Sequence, residues 1–365
     1  MPRVAALRCP GSRRPLPWKQ ALLTIRRIDL AMTIAHRARN FRRRLESSLY
    51  RGRDRQRSRW TRVPPARQTG LITSREDAMA VRANPTLRQR RLGSELRRLR
   101  EQAGLGGSQL ANRLGISPGQ MTQMETAKIG VSPERLRMVA SACNCVNQPL
   151  IDALADMASD RRKGWWEEYR GSLTTDFLEV AELEGHATRL AICTTTYMPG
   201  LLQTDAYASA VFARVFPPLP VEDVEVRTSF RIRRQEIVRS GKTSMQAFIH
   251  EAALRMQFGG PKVLADQLGA LLEDSERPGI SVRVVPFAVD TFPGAGENLT
   301  FAEGLVPELD TIQMDVSQGA LFFDSPADLA KHRAIFSRLD STALSEDGSR
   351  DFIRSIVKEV KATYA

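Results

Sequence analysis

Cysteine, histidine and aromatic residues are all scarce in this chain of 365 residues, with four Cys, four His, and Phe, Trp and Tyr together at 6%. Cys9, Cys143, Cys145 and Cys193 are too few and too scattered for a disulfide framework, and Cys143-x-Cys145 lacks the second pair that a zinc site needs. A reducing compartment fits, with Cys143 and Cys193 read as small buried apolar side chains. No run of eighteen apolar residues occurs, so no membrane-spanning helix is expected. Catalytic signatures are missing too. His250-Glu251 opens like a zinc-protease motif, but Leu254 stands where the second His is required. Gly294-Ala-Gly296 lacks the third glycine of a dinucleotide loop, and no Gly-x-Ser-x-Gly elbow exists. The expectation is a soluble cytoplasmic protein that is not an enzyme, with no catalytic residue, metal or cofactor.

Charge is abundant, and its placement divides the chain. Residues 1–78 hold 20 Lys and Arg against 5 Asp and Glu, residues 79–137 hold 11 against 4, and residues 138–365 hold 23 against 32. A basic module therefore precedes an acidic one. The first segment is Arg- and Pro-rich, with Arg42-Arg43-Arg44 and the alternating Arg51, Arg53, Arg55, Arg57 and Arg59. Mutual repulsion with few apolar anchors predicts a disordered extension over 1–78. Arg13-Arg14 runs into Pro15-Leu16-Pro17 instead of an apolar stretch, which argues against a twin-arginine signal. A basic amphipathic helix over 18–49 is compatible with anionic lipid or nucleic acid. The preferred reading is upstream sequence without a specific role, the working protein beginning near Met79.

From Leu87 onward the pattern changes. Leu92, Leu96, Leu99 and Ala103 share one face of a helix that Gly104 can end in the left-handed conformation. Short helices follow at about 108–114, 118–126, 133–143 and 148–158, giving a five-helix domain over 86–158. Arg161-Arg162-Lys163-Gly164 reads as a hinge. Residues 165–365 read as a mainly helical α+β domain with a small sheet. Helical patterning covers 165–239 and 261–276, broken by Pro217-Pro218-Leu219-Pro220, and strands are expected at 245–250, 280–285, 299–303, 311–315 and 320–323. Helices over 326–341 and 349–362 close the chain.

Within the five-helix domain, residues 108–125 carry what a helix-turn-helix requires: a small residue where two helices cross, a permissive turn residue and a capped second helix. Ala111 permits close approach and Gly115 makes the turn. Ser117 is an N-cap, Pro118 sits at the first helical position, and Gln120 completes a Ser-x-x-Gln capping box. Leu110, Leu114, Ile116, Met121 and Met124 point inward, which leaves Gly119, Gln120, Thr122 and Gln123 on the outer face of the second helix. Amide side chains there suit adenine in a major groove. Arg88, Arg90, Arg91, Arg97, Arg98, Arg113 and Lys128 add charge compatible with phosphate. The candidate DNA-binding set is Ser117, Gly119, Gln120, Thr122, Gln123, Lys128, Arg97 and Arg113.

These residues resemble the XRE (Cro/repressor-like) family, in which five helices follow this order; Ser132-Pro133-Glu134-Arg135-Leu136 matches the start of its fourth helix. The family's usual Gly after the Glu that ends the second helix is absent from Glu125-Thr126-Ala127-Lys128. By that resemblance Gly119, Gln120, Thr122 and Gln123 are the base readers. Further on, Trp165-Trp166, Glu184-Gly-His-Ala187, Tyr197-Met-Pro-Gly-Leu-Leu-Gln-Thr-Asp-Ala-Tyr-Ala208, Arg231-Ile-Arg-Arg-Gln235, Glu251-Ala-Ala-Leu-Arg255, Gln267-Leu268 and Val284-Val-Pro-Phe287 resemble the C-terminal domain of actinobacterial WhiJ-like regulators, the antitoxin-like Scr family. That resemblance implies regulation beside a small partner protein.

Trp165, Tyr197, Leu201, Gln203, Arg231 and Arg234 are the candidate partner- or ligand-binding residues. Tyr197, Leu201, Leu202 and Tyr207 either line a pocket or fill a core, and the arginines either hold an anion or form a salt-bridged helix face. Two functional readings follow. One is a sequence-specific transcriptional regulator, a homodimer on double-stranded DNA in the nucleoid, whose C-terminal domain senses a partner protein encoded nearby or a small-molecule effector. The other is an antitoxin-like interaction module that sequesters a small partner protein.

Overall fold

The N-terminal bundle is built from helices whose ends the sequence marks. The structure, a computed structural model, describes residues 82, 84–293, 298–316 and 319–364. The basic extension expected to be disordered over 1–78, and Gly294-Ala-Gly296, lie outside these described residues. Helix α1 (Leu87–Gln102) starts at Thr86, whose side chain accepts from the Gln89 backbone while the Gln89 side chain accepts from Thr86. Gly104 follows it at φ +67°. Helices α2 (Gly107–Arg113) and α3 (Pro118–Glu125) flank Gly115 at φ +65°. Helices α4 (Pro133–Ala142) and α5 (Gln148–Ser159) are capped by Ser132 and Asn147, each with a proline in the first turn. Leu96, Leu110, Leu136 and Leu154 meet in the core with no solvent exposure.

One close contact in the bundle requires glycine. A Cβ on Gly93 of α1 would lie 2.5 Å from the carbonyl oxygen of Glu125, so the last turn of α3 rests directly on the α1 backbone. Arg100 of α1 reinforces the crossing through Nε and Nη2 to the two carboxylate oxygens of Glu125. After α3, Ala127 takes φ +57° and is buried, so this chain places an alanine in a left-handed position that favours glycine.

The α+β part opens with a 3-10 turn (Trp165–Tyr169) and α6 (Thr175–His186). Its sheet comprises β1 (Arg189–Thr194), β2 (Ser244–His250), β3 (Ile280–Val285), β4 (Leu299–Glu303), β5 (Thr311–Val316) and β6 (Gly319–Phe323), in the order β3-β2-β1-β4-β5-β6. The first three strands are parallel, and β4 turns the sheet antiparallel against β1. The region that reads as helical between residues 165 and 239 therefore contains the central strand β1. Leu190 and Ile192 face one core and Ala191 and Cys193 face others, so β1 is covered on both sides and shows no polar alternation.

Helices α7 (Asp205–Phe212), α8 (Val221–Arg234), α9 (Glu236–Arg239), α10 (Glu251–Arg255), α11 (Pro261–Asp274), α12 (Pro326–Thr342) and α13 (Glu346–Lys361) complete the part. On one face of the sheet, Leu264, Leu268 and Leu271 of α11 join Ile353 and Ile356 of α13; on the other, Leu329 and Leu339 of α12 meet Phe301, Ile312 and Phe248. Among the described residues no helix is long and apolar enough to cross a membrane.

The two parts are joined through α1. Arg91 is buried, and its Nε donates to Glu95 at 2.8 Å. Its Nη1 donates to the Asp310 carbonyl at 3.0 Å and to Thr311 Oγ1 at 2.8 Å, and Nη2 donates to the Glu308 carbonyl. Arg98 pairs with both Glu95 and Asp324, and Val306 and Leu309 pack on the apolar core of the bundle. Removing one member of a buried ion network leaves the others desolvated, at about 3 kcal/mol or more. Arg91→Ala is therefore expected to lower the urea midpoint by that amount of stability, while Arg97→Ala, on the exposed side of the same helix, leaves it unchanged. Equal midpoints for both variants would mean that the junction contributes nothing to stability.

Candidate nucleic-acid interface

Helix α3 is the best-defined candidate element for reading DNA. Ser117 Oγ accepts from the Gln120 N–H at 3.1 Å, and Gln120 Oε1 accepts from the Ser117 N–H at 3.0 Å. The capping box is formed as the sequence implies, with a consequence the sequence does not show: the Gln120 carbonyl is committed to the helix end, which leaves its amide NH2 for other partners. Thr122 Oγ1 donates back to the Pro118 carbonyl at 3.0 Å, so it presents its methyl group more than its hydroxyl. Gly119, Gln120 and Thr122 are exposed and Gln123 is half-buried. The Gln123 side chain makes no hydrogen bond among the described residues, so its amide has both donor and acceptor open. Met121 and Met124 anchor the opposite face in the core.

The surrounding cations separate into two groups. Arg97 is exposed and pairs with Glu101 at 2.7 Å, Arg113 is exposed and donates to the Ala142 carbonyl at 2.9 Å, and Lys128 is exposed beside the end of α3. The second group corrects the expectation of phosphate-compatible charge. Arg91 and Arg98 are held in the Glu95–Asp324 network and Arg90 pairs with Glu179 at 2.8 Å, whereas Arg88 meets Glu182 through its backbone N–H alone and its guanidinium has no ion pair among the described residues. Their acidic partners on α6 and around β5 and β6 lie far along the chain, so no local reading of the arginines could assign them.

The residues singled out in the α+β part fall in different places. Trp165 sits in an aromatic cluster, 5.1 Å from the Phe230 ring and beneath the Arg233 guanidinium at 4.8 Å. Tyr197 is 39% exposed and packs against Phe258. Leu201 and Gln203 are each 1% exposed, in and just after the 3-10 turn Gly200–Leu202. Gln203 Nε2 donates to the Met198 carbonyl, and its Oε1 accepts from Arg231 at 2.8 Å. Arg231 lies over the Phe212 ring at 4.2 Å, and burial pushes its guanidinium well below the usual arginine range. Arg234 makes a bidentate ion pair with buried Glu184. Two further amides complete this interior lattice: Gln235 Nε2 donates to the Gln203 carbonyl at 2.6 Å, and Gln267 Nε2 to the Leu202 carbonyl at 2.8 Å. Gln203 and Arg231 thus fix the turn and Arg234 ties α8 to α6, while Tyr197 flanks the turn on Phe258 and Trp165 belongs to a separate aromatic cluster.

His250 caps α10 through Nδ1, and no group of three or more His, Cys, Asp or Glu among the described residues could hold a metal ion. His186, at the end of α6, faces Trp166 with ring centroids 6.1 Å apart. Burial, followed by Arg88, holds its imidazole down at about 4, with Lys242 and Arg162 acting in the same direction and Asp160 opposing them.

Comparison with known proteins agrees with the division seen in the chain. Residues 91–154 match the model of a helix-turn-helix domain, and residues 177–355 match that of a domain of unknown function, DUF5753. No curated protein and no solved structure matches the chain. The chain contains a helix-turn-helix domain, the hallmark of a DNA-binding regulator, followed by an α+β region.

The state of His186 gives a pH dependence. An unfolded imidazole titrates near 6.5, so between about 6.5 and about 4 the unfolded chain binds a proton that the folded chain does not. The contribution of this residue is present in full above pH 6.5 and is lost as the pH falls towards 4. Allowing for its partial exposure to solvent, the loss is about 1–2 kcal/mol. Urea titrations of wild type and His186→Gln from pH 7.5 to 4.5 are expected to converge in this window, the variant losing less stability on acidification. Parallel curves would remove His186 as the cause.

Proposed function

We propose that the protein is a sequence-specific, DNA-binding transcriptional regulator in which α3 enters the major groove and the α+β part senses a partner protein or a small ligand. The observation that carries this reading is α3 itself: capped at Ser117, anchored by Met121 and Met124, and presenting Gly119, the Gln120 NH2 group, the Thr122 methyl and the open amide of Gln123 on its outer N-terminal face. Small residues let a helix approach base edges, and a Gln amide can serve adenine as donor and acceptor together. Arg113 and Lys128 supply charge for phosphates on either side.

Regulation requires that a ligand or partner bind two states of the molecule with different affinity. Residues 160–164, which join α5 to the α+β part outside regular secondary structure, and the ion network on α1 are the places where two states would differ. A single bundle of this size presents one reading helix, so selective binding suggests a homodimer on an inverted repeat with half-sites about 34 Å apart.

Titration of an operator fragment at several salt concentrations tests the reading. Gln123→Ala is expected to lower specific affinity by about 1–3 kcal/mol and to relax base preference at one position of each half-site. Arg113→Ala and Lys128→Ala are expected to weaken specific and non-specific duplexes alike and to reduce the salt slope by about one each. Unchanged operator affinity in all three folded variants would contradict the assignment of α3.

A further inference from the structure

Between the bundle and the α+β part lies a cavity of about 340 Å³ whose wall is unusually rich in cations: Arg82, Arg88, Arg161, Arg162, Lys163 and Arg170. Two of these are already neutralised. Arg162 grips the Asp160 carboxylate at 3.0 and 3.1 Å, and Arg170 grips Glu167 through Nε and Nη2, each at 2.7 Å. Arg82, Arg88, Arg161 and Lys163 have no side-chain ion pair among the described residues. The remaining carboxylate of the wall, Glu182, accepts from the backbone N–H of Arg88 at 3.1 Å. Arg88 is the telling residue. Its Nε is sealed from solvent and meets no acceptor, an expensive arrangement for a guanidinium in a folded protein. A pocket in which the side chains of Arg82, Arg88, Arg161 and Lys163 converge without carboxylate partners among the described residues is complementary to an anion.

The walls come from three places in the chain. Arg88 belongs to α1 of the bundle, Arg161 and Lys163 to the connecting segment, and Trp166 and His186 to the α+β part. A neighbouring cavity of about 1300 Å³ shares Arg88, Arg161 and His186 but balances its cations with Asp156, Glu179, Glu303 and Asp324. The smaller cavity therefore suits the charged head of a ligand, and the larger has room for the remainder.

We infer that the junction cavity is a binding site for a small multivalent oxyanion, a phosphate or polycarboxylate, held between Arg88 of α1 and Arg161 and Lys163 of the connecting segment. This deepens the proposed sensing role and rests on it for its consequence, since an anion bridging α1 and the connecting segment would bias the orientation of α3. The site itself stands on the cavity and its surplus of cations without ion-pair partners among the described residues.

The test is calorimetric titration of the full chain with pyrophosphate and, separately, with citrate, for wild type, Arg88→Met, the double variant Arg161→Ser/Lys163→Ser, and a control, Arg42→Ser/Arg43→Ser/Arg44→Ser. One saturable site is expected, weakened at least tenfold in both cavity variants and unaltered in the control. Binding of pyrophosphate alone identifies a phosphate ligand, and of citrate alone a polycarboxylate. Arg161 and Lys163 are exposed, so the double variant keeps the test decisive if Arg88→Met does not fold. Absence of saturable binding of either anion, or affinity retained in the double variant, overturns the site. Operator titration with and without the bound anion separates the two levels of the argument: saturable binding with unchanged DNA affinity keeps the site and removes its sensing role.

Discussion

Arg91 carries a full positive charge into a region almost closed to water, where it is tolerated only because Glu95, two backbone carbonyls and Thr311 surround it. Such networks seldom raise stability above that of an apolar replacement, but they tolerate only one arrangement of their members. Here that arrangement joins α1 to the turn before β5. Through Gly93 and the Arg100–Glu125 pair, α1 in turn supports α3. The orientation of α3 relative to the sheet is therefore set by a chain of contacts that begins at a buried guanidinium.

This construction makes the junction the natural place for the proposed control. The apolar cores on the two sides are complete in themselves, while the surfaces between them are held largely by ions, hydrogen bonds and the side chains of Val306 and Leu309. Polar contacts can be exchanged for water or for a ligand at lower cost than a packed core can be opened. The stretch over 160–164, its cations and the imidazole of His186 gather where such an exchange would occur.

Much of the architecture was legible in the sequence wherever the signal is local. Ser117-Pro118-Gly119-Gln120 specifies a helix start through atoms three residues apart, and Gly104 and Gly115 take the left-handed conformations that end helices. Five of the six strands could be recognised from short apolar runs bounded by turns. The strand β1 could not, because Leu190-Ala191-Ile192-Cys193 is buried on both faces and a short apolar run of that kind reads equally well as helix. Its pairing partners lie some 50 to 115 residues away. The same limit hid the role of the α1 arginines: charge is visible in a sequence, whereas the Glu179 and Asp324 that answer it come from the other part of the molecule. The amides of Gln203, Gln235 and Gln267 are similar, since only the folded turn reveals that they satisfy its carbonyls.

The central claim is that exposed side chains of α3 read bases while the rest of the molecule fixes their spacing. Selection of bound duplexes from a random pool, for wild type beside Gln120→Arg/Gln123→Arg, tests it most directly. The account predicts an inverted repeat for wild type and, for the variant, the same spacing with altered base preference inside each half-site. Recovery of the same half-site sequence by both proteins would contradict it.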